Sequence, residues 1–594
     1  MVRHRGRTKR GRRPLIWQRR RSLERRRETR LRRPVRIPDE APSTDAIFIV
    51  IRRMRAPLIF IITVFAISVL GLTLVPGRDE GGHTTHLSAF EAFYFISYTA
   101  STIGFGEIYP FTTPQRMWVT VCIFMTVVGW AYAIGTLLSL LQSASFQHAL
   151  AMQRFRTKVK RIREPFLIVC GYGQAGRQVC RELDFQGRRF VVIDRHEGRL
   201  DRIMTDELQS EVPALEANAS LPAVLGMAGL ANRHCDGVLA FTDDDTDNLA
   251  IVMNATVLRP GMSVIARCTD ARVEESMRDF APNAVINPSD RYGAYLVLAL
   301  QRPETYRLVT WLMDPRDLPL PPRYEPKSGG TWVVTSDDDF GAEVSNDLHR
   351  AGMHVVMADP EEGHPDVSGA SGFIAGTRND TTNLALAEHA KLERKDLFVG
   401  VRQQSDARAS IITALGIDSV FTPTELVAQE SLARVITPLF WSFVEYAVTQ
   451  PEEFAERLLM NLTNRCGDAA KDRAIIDLSA AGSPALHRWL LHAELTIGQL
   501  LANPDNRDSK LPLVALMLIR NGEHIYAPDD TMTVTPDDQV LVVGHHWGLE
   551  ALVQTQFSDA SAEYIATGVQ VPETWVWRRL NRSKRRSRSR QPVG

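Results

Sequence analysis

Two stretches of this chain are long and apolar enough to cross a bilayer, and between them lies the segment Thr102-Ile103-Gly104-Phe105-Gly106. Ala56 to Val75 is twenty residues without a charge, and Met117 to Leu141 is twenty-five. A hydrocarbon core of roughly 30 Å takes about 20 residues at about 1.5 Å rise each. Leu87 to Ala100 is too short to span and carries Glu91, so it reads as a re-entrant half-helix. Irregular backbone at membrane depth survives only where protein buries it or it lines water. Span, half-helix, glycine loop, span is the outline of a pore.

A bare cation leaves water only where other oxygens replace its hydration shell. Consecutive backbone carbonyls can do so if the chain alternates ordinary and left-handed dihedrals, and glycine takes the left-handed ones without a Cβ penalty. Gly104 and Gly106 suit those positions, and the Thr102 hydroxyl adds an oxygen at the inner end. One copy offers too few carbonyls to surround an ion, so a homotetramer is the simplest assembly. The segment resembles the potassium-channel pore family, whose filter reads T-V-G-Y-G-D. Thr102, Ile103, Gly104, Phe105 and Gly106 match it, with Ile for Val and Phe for Tyr, and Glu107 stands where the family has Asp. The resemblance implies selectivity for K+ as the permeant ion. Phe105 lacks the hydroxyl that would tether the filter to the half-helix, and Tyr98 stands where some members have a buttressing Glu.

No helix with Arg at every third residue lies inside a membrane segment, so gating by a voltage sensor of the usual kind is not expected. Gly129 and Gly135 are candidate gating hinges, and small residues for packing in lipid is the alternative reading. Arg52, Arg53 and Arg55 precede the first span, and Arg154, Arg156, Lys158, Lys160, Arg161 and Arg163 follow the second. The loop between has only Arg78 and Arg116. The positive-inside rule then places both termini in the cytoplasm of a multi-pass plasma-membrane protein. The first apolar run is too long for a signal peptide and no small-x-small site follows it, so it reads as a retained anchor.

After Pro165 strand-like and helix-like stretches alternate. Phe166 to Cys170 runs into Gly171-Tyr172-Gly173-Gln174-Ala175-Gly176, a helix-like stretch follows to Phe185, and a second strand from Phe190 ends at Asp194. This is a dinucleotide fingerprint in context: Gly171 makes the tight turn, Gly173 lets phosphate approach, Gly176 lets helix pack on strand, and Asp194 takes ribose hydroxyls. Phosphate would rest on the helix N-terminus. Asp194 favours an unphosphorylated ribose, giving NAD(H), ADP or ATP as ligands, while Arg195 beside it weakens the case against a 2′-phosphate.

The unit repeats. A shift of 165 lays Trp332-Val333-Val334 on Leu167-Ile168-Val169, Gly341 on Gly176, Gly352 on Gly187 and Asp359 on Asp194. A shift of 135 lays Thr377, Asp380, Asn383, Leu384 and Ala385 on Thr242, Asp245, Asn248, Leu249 and Ala250. The first copy therefore carries a thirty-residue insertion before that point. In the second copy Ser336 and Asp338 replace the first two glycines, and Asp337, Asp338 and Asp339 would repel a pyrophosphate. An acidic solvated loop is one reading of those three carboxylates, and a divalent cation such as Ca2+ the other.

Short strands separated by turn chemistry close the body: Ala493 to Ile497, Leu511 to Arg520, and Val540 to Gly544. Roughly 165–555 resembles the RCK family (regulators of potassium conductance, the TrkA-N and TrkA-C pattern). Gly171, Gly173, Gly176, Asp194 and the Thr242 to Asn248 stretch, with Asp243, match its nucleotide-facing motifs, whereas Asn218 stands where the family often has Asp near the base. The expected fold class is thus an α-helical two-span pore plus tandem α/β Rossmann-like RCK domains and a small α+β C-terminal lobe. The expected boundaries are a basic arm at 1–50, the pore at 51–145, a linker helix at 146–164, RCK repeats at 165–327 and 328–475, the lobe at 476–556 and a basic tail at 557–594.

Charge is segregated. Residues 1–36 hold seventeen Lys and Arg against two Glu, and 578–590 hold eight and no acid, so within a whole-chain charge of +1 the rest carries −22. Such arms suit anionic lipid headgroups beside a membrane, and without a reading fold no nucleic acid is expected. The function these features imply is a ligand-gated K+ channel, not an enzyme, whose cytoplasmic ring senses a nucleotide. A nucleotide-binding regulatory subunit of a K+ transporter is the alternative. A membrane-anchored NAD-dependent dehydrogenase is a third reading, but it would need a substrate domain, and only another Rossmann-like copy is present.

Overall fold

Long uncharged runs fold as helices because a helix satisfies its own backbone where water is absent. The computed structural model describes residues 37–38, 46–78, 83–108, 112–313, 319–321, 323, 330–404, 408–467 and 472–570, so the basic stretches 1–36 and 578–590 lie outside it. The chain divides into two compact units: Met1–Gly171 with Arg188–Asp236 and Asn254–Met262, and Tyr172–Gly187 with Gly237–Met253 and Ser263–Gly594.

The first unit opens with α1 (Ala46–Leu74), the half-helix α2 (Ala89–Ala100) and α3 (Thr113–Leu141). Among the described residues, α1 and α3 are the helices long and apolar enough to cross a membrane. Helix α1 starts inside the expected 1–50 arm, correcting that boundary. Ser88 starts α2: its hydroxyl accepts the Glu91 N–H at 3.2 Å, and the Glu91 carboxylate accepts the Ser88 N–H at 2.8 Å. Glu91 thus closes a capping box. Phe95, Ile96 and Tyr98 of α2 are buried with Leu72 of α1 and Val119 and Cys122 of α3. Gly71 makes room for the Trp118 ring, since a Cβ there would fall 2.1 Å from Cζ2. Ile62, Leu70, Phe124 and Val127 stay exposed, which suits hydrocarbon.

Helix α4 (Ala144–Arg161) carries three basic residues in its last turn, where the helix dipole favours them. It is docked rather than free, with Phe155 and Val159 buried. A Cβ on Gly229 would lie 2.9 Å from both Val159 and Phe166, so α4 closes directly over that turn. Next come β1 (Phe166–Cys170), β2 (Arg189–Asp194) and β3 (Ala214–Glu216), with β1 parallel to β2 and β2 parallel to β3. Every residue of β1 is buried, which is why that strand is apolar without alternation.

The second unit begins with α5 (Gln174–Phe185). Gly237–Ala240 of β4 (Cys235–Ala240) pairs in parallel with β5 (Ser263–Arg267), and β5 with β6 (Ala284–Ile286). Then come α6 (Pro288–Gln301) and α7 (Pro303–Met313). The second repeat supplies β7 (Thr331–Thr335), α8 (Asp339–Arg350), β8 (His354–Ala358), β9 (Ala370–Ala375), β10 (Phe398–Arg402), β11 (Ser419–Phe421) and α9 (Pro423–Ile436). Its sheet is parallel throughout in the order β8-β7-β9-β10-β11, the doubly wound arrangement. The insertion in the first copy is the Glu197–Thr205 helix, β3 and the Pro222–Met227 helix, which have no counterpart between β8 and β9. Helix α9 packs on both α5 and α6. Helix α7 buries Leu308, Trp311 and Leu312 against Phe440, Phe443 and Leu459.

The C-terminal lobe is an antiparallel sheet in the order β12 (Asp472–Asp477), β15 (Gln539–Gly544), β13 (Leu513–Arg520), β14 (Glu523–Tyr526). It exceeds the expected 476–556 at both ends. A helix from Asp559 to Thr567 buries Ala562 and Ile565 against Leu486 and Leu490, so this part of the expected basic tail belongs to the lobe.

At the α6–α8 contact, a Cβ on Gly293 would fall 2.3 Å from Asp347 Oδ2, an oxygen buried without a hydrogen-bond partner. Burial, with Asp290 and Glu343 nearby, pushes the Asp347 carboxyl up to about 6 from 3.8 despite Arg350. A raised carboxyl favours the fold when protonated, so this contribution is full below 3.8 and lost as pH rises through about 6. Asp347→Asn should therefore raise the melting midpoint above pH 6 and flatten its pH dependence below that. Identical wild-type and variant profiles would contradict this.

Candidate functional site

The half-helix delivers its C-terminus directly to the glycine segment. Thr102, Gly104 and Gly106 have φ of 60°, 63° and 73°, alternating with ordinary dihedrals at Ile103 and Phe105. That is the alternation of dihedrals that a carbonyl-lined path calls for. Glycine holds two of these positions without strain, while Thr102 is a β-branched residue in a region it seldom enters. The Thr102 hydroxyl donates to the Ser101 carbonyl at 2.7 Å. Ile103 and Phe105 are 58% and 60% exposed.

Helix α3 runs unbroken past both candidate hinges. Gly129 is buried, and a Cβ there would meet Ile61 and Phe60 of α1 at 3.4–3.5 Å, whereas Gly135 faces open space. Gly129 is thus a packing position between the two long helices in this conformation.

The fingerprint has its strand, turn and helix. Gly171 has φ of 102° and donates its N–H to the Ile193 carbonyl at 2.7 Å, which sets the turn beside the end of β2. Gly173 is the N-cap of α5 with φ of −73°, and no side chain caps that helix. Its first-turn N–H groups therefore remain available to an anion. Tyr172 is buried, Ala175 and Gly176 lie on the packed face of α5, and Gln174 starts it. Asp194, at the end of β2, is buried, with Oδ1 accepting the His196 N–H at 2.8 Å and Oδ2 at 3.6 Å from Arg199. Arg195 is exposed. Asn218 is turned onto its own loop, taking the Ser220 N–H at 2.8 Å and hydroxyl at 2.6 Å.

Thr242 is engaged within the fold. Asn248 Oδ1 accepts its N–H at 3.0 Å and its hydroxyl at 2.8 Å, while Asn248 Nδ2 donates to the carbonyls of Thr242 and Arg267. Thr377, Asn383 and Arg402 repeat the network in the second copy. Asp243 is exposed beside it. In both copies the network ties together the carboxyl ends of two neighbouring strands, and it is kept where the phosphate loop is lost.

The acidic triplet in the second copy does not form a cation cage. Asp338 lies between two guanidinium groups: Arg402 Nη1 reaches both its oxygens at 2.9 and 2.8 Å, and Arg378 Nε reaches Oδ2 at 3.2 Å. It also caps α8, accepting the Phe340 N–H at 3.1 Å. Asp337 takes the Arg378 N–H at 2.8 Å, and Asp339 is exposed in the first turn of α8. Among the described residues no group of three or more His, Cys, Asp or Glu is placed to hold a metal ion. Burial opposes ionisation of Asp338, but the hydrogen bonds and charge of Arg402 outweigh it and hold the carboxyl below the usual range. Its stabilising contribution is thus present above pH 3.8 and lost as pH falls through the depressed value. Asp338→Ala should cost about 3 kcal/mol by leaving Arg402 half-buried and unpaired, read as a lower melting midpoint at neutral pH. An unchanged midpoint would show the pair to be dispensable.

Two family models match parts of the chain. Residues 58–143 match the family model described as Ion channel, and residues 167–288 match the TrkA-N domain. Potassium channel protein 1 of Methanocaldococcus jannaschii is 26% identical over 178 residues, 30% of this chain and 52% of that protein. The voltage-gated potassium channel Kch of Escherichia coli is 22% identical over 210 residues, 35% of this chain and 49% of that protein. The chain spans about half the length of these curated relatives. Among solved structures, a GsuK channel bound to NAD aligns over 86% of this chain and 99% of its own, at 13% identity and a TM-score of 0.41.

Proposed function

We propose that this chain, which joins an ion-channel domain to a TrkA-N domain, is the protomer of a K+-selective channel opened or closed by a nucleotide. The observation that carries the reading is the left-handed, ordinary, left-handed alternation at Thr102, Gly104 and Gly106, held between two helices of membrane length. A homotetramer follows from the need to surround the ion, and the exposed Ile103 and Phe105 are the side chains that neighbouring copies would cover. The basic flanks support a reading with both termini on the cytoplasmic side of the plasma membrane, where the arms would meet anionic headgroups.

The phosphate of NAD(H), ADP or ATP is assigned to the open N-terminus of α5, and the fingerprint spacing in the sequence, not a distance, assigns the ribose hydroxyls to Asp194. The second repeat holds no nucleotide, because Asp338 already takes the capping position and the arginine there. A nucleotide moves the gate only by its differential affinity for the two states. Four sites contributing about 1–2 kcal/mol each reach the roughly 5.5 kcal/mol that carries an equilibrium from 1:99 to 99:1. Helix α4, continuous in sequence with α3 and docked by Phe155 and Val159, is the element that transmits the change. Purified protein in liposomes, loaded with K+ or Na+ and given each nucleotide, tests this. Nucleotide-dependent K+ flux supports the reading, and no K+-selective flux under any condition rejects it.

A further inference from the structure

We infer that Tyr98 is the positioning residue of the filter, holding it from behind at both ends. The inference rests on the channel reading and deepens it. At the inner end the Tyr98 carbonyl accepts the N–H groups of Ile103 at 3.0 Å and Gly104 at 3.3 Å. At the outer end the Tyr98 hydroxyl donates to the Ile108 carbonyl at 2.6 Å, a short hydrogen bond between neutral groups. One residue of the half-helix thus holds both the Ile103–Gly104 backbone and the chain just beyond Gly106.

Its ring is positioned to do this. Tyr98 is 5% exposed within the cluster of Phe95, Ile96, Val119 and Cys122. It stands edge-on to Phe105 at 6.0 Å and 68°, so the aromatic filter residue leans on the residue that spans it. Phe105 has no hydroxyl to send back to the half-helix, and here the phenol travels the other way. Tyr94 adds a longer contact, its hydroxyl 3.4 Å from Glu107 Oε2.

The physical consequence is selectivity. A ring of carbonyls prefers the larger of two dehydrated cations only if it resists closing on the smaller one, or keeps enough oxygens around the larger. Either way the outer end must stay in place, and freeing the Ile108 carbonyl removes the tether that fixes it. Tyr98→Phe keeps the ring and its packing while deleting only the hydroxyl.

Planar-bilayer recording of the full-length protein is the test, reading the K+/Na+ permeability ratio and the half-effective nucleotide concentration. Y98F should lower the ratio about fivefold, the factor one neutral buried hydrogen bond is worth, and leave the nucleotide response unchanged. Y94F, which removes the longer contact, should lower it less. Co-assembly of tagged Y98F with wild-type chains keeps the measurement available if the all-variant tetramer does not form. A selective wild-type channel with an unchanged Y98F ratio, or a larger effect from Y94F, overturns the inference alone. Wild-type protein that passes no K+ overturns the channel reading with it.

Discussion

Gly104→Ala will abolish K+ flux from reconstituted protein while leaving nucleotide binding at the wild-type level. Gly104 has φ of +63°, and a Cβ built there meets nothing within 4 Å, so the cost is in the backbone and not in a clash within the chain. An L-residue in the left-handed region costs about 1–2 kcal/mol, and four copies around one ion would sum to about 4–8 kcal/mol. The backbone escapes that cost by rotating the peptide, which turns a carbonyl away from the ion path. Flux measured against a K+ gradient checks it. Wild-type flux from the variant would remove Gly104 from the conduction path. Thr102 already tolerates a φ of 60°, which makes it the residue where strain is stored at the mouth of the hairpin.

Gly173→Asp will lower nucleotide affinity by more than about a hundredfold, about 2.7 kcal/mol, and leave the pore able to conduct. Gly173 lies at φ −73° and ψ −164°, a region open to any residue, so aspartate introduces charge without backbone strain. The second repeat shows what that charge does. Asp338, at the equivalent position, caps its own helix and takes Arg402, the counterpart of Arg267. An aspartate at 173 would supply the same internal anion where phosphate is to bind. Calorimetry with NAD+, ADP and ATP reads the loss. Unchanged affinity for all of them would place the ligand elsewhere in the chain.

Much of this was legible in the residues. The apolar runs gave α1 and α3, and the two glycines of the hairpin gave the positive φ at 104 and 106. The glycine fingerprint gave its turn and helix, and the self-similarity at two shifts called for a thirty-residue insertion before Thr242, which the fold shows as the Glu197–Thr205 helix, β3 and the Pro222–Met227 helix. The Ser88-x-x-Glu91 pattern was also readable as a capping box, which explains the charge in the half-helix better than span length does. Less legible were the lobe boundaries, because the Asp559–Thr567 helix is short and is held by packing on Leu486 and Leu490. Of the three carboxylates at 337–339, Asp337 and Asp339 are exposed as a solvated loop requires, whereas the pairing of Asp338 was not legible because its arginine partners lie 40 and 64 residues away.

Sequence by itself determined the features that follow from local rules: run length for a span, glycine for left-handed backbone, strand-turn-helix order for a phosphate loop, and internal repetition for a second copy. Tertiary structure alone decided which polar groups meet. It placed the Tyr98 hydroxyl on the Ile108 carbonyl and Asp338 between Arg402 and Arg378, and it turned Asn248 onto Thr242 and Arg267 at the carboxyl ends of neighbouring strands. A dihedral preference belongs to one residue and can be read there. A hydrogen-bond partner across the fold depends on how strands and helices stack, which residue order does not encode position by position.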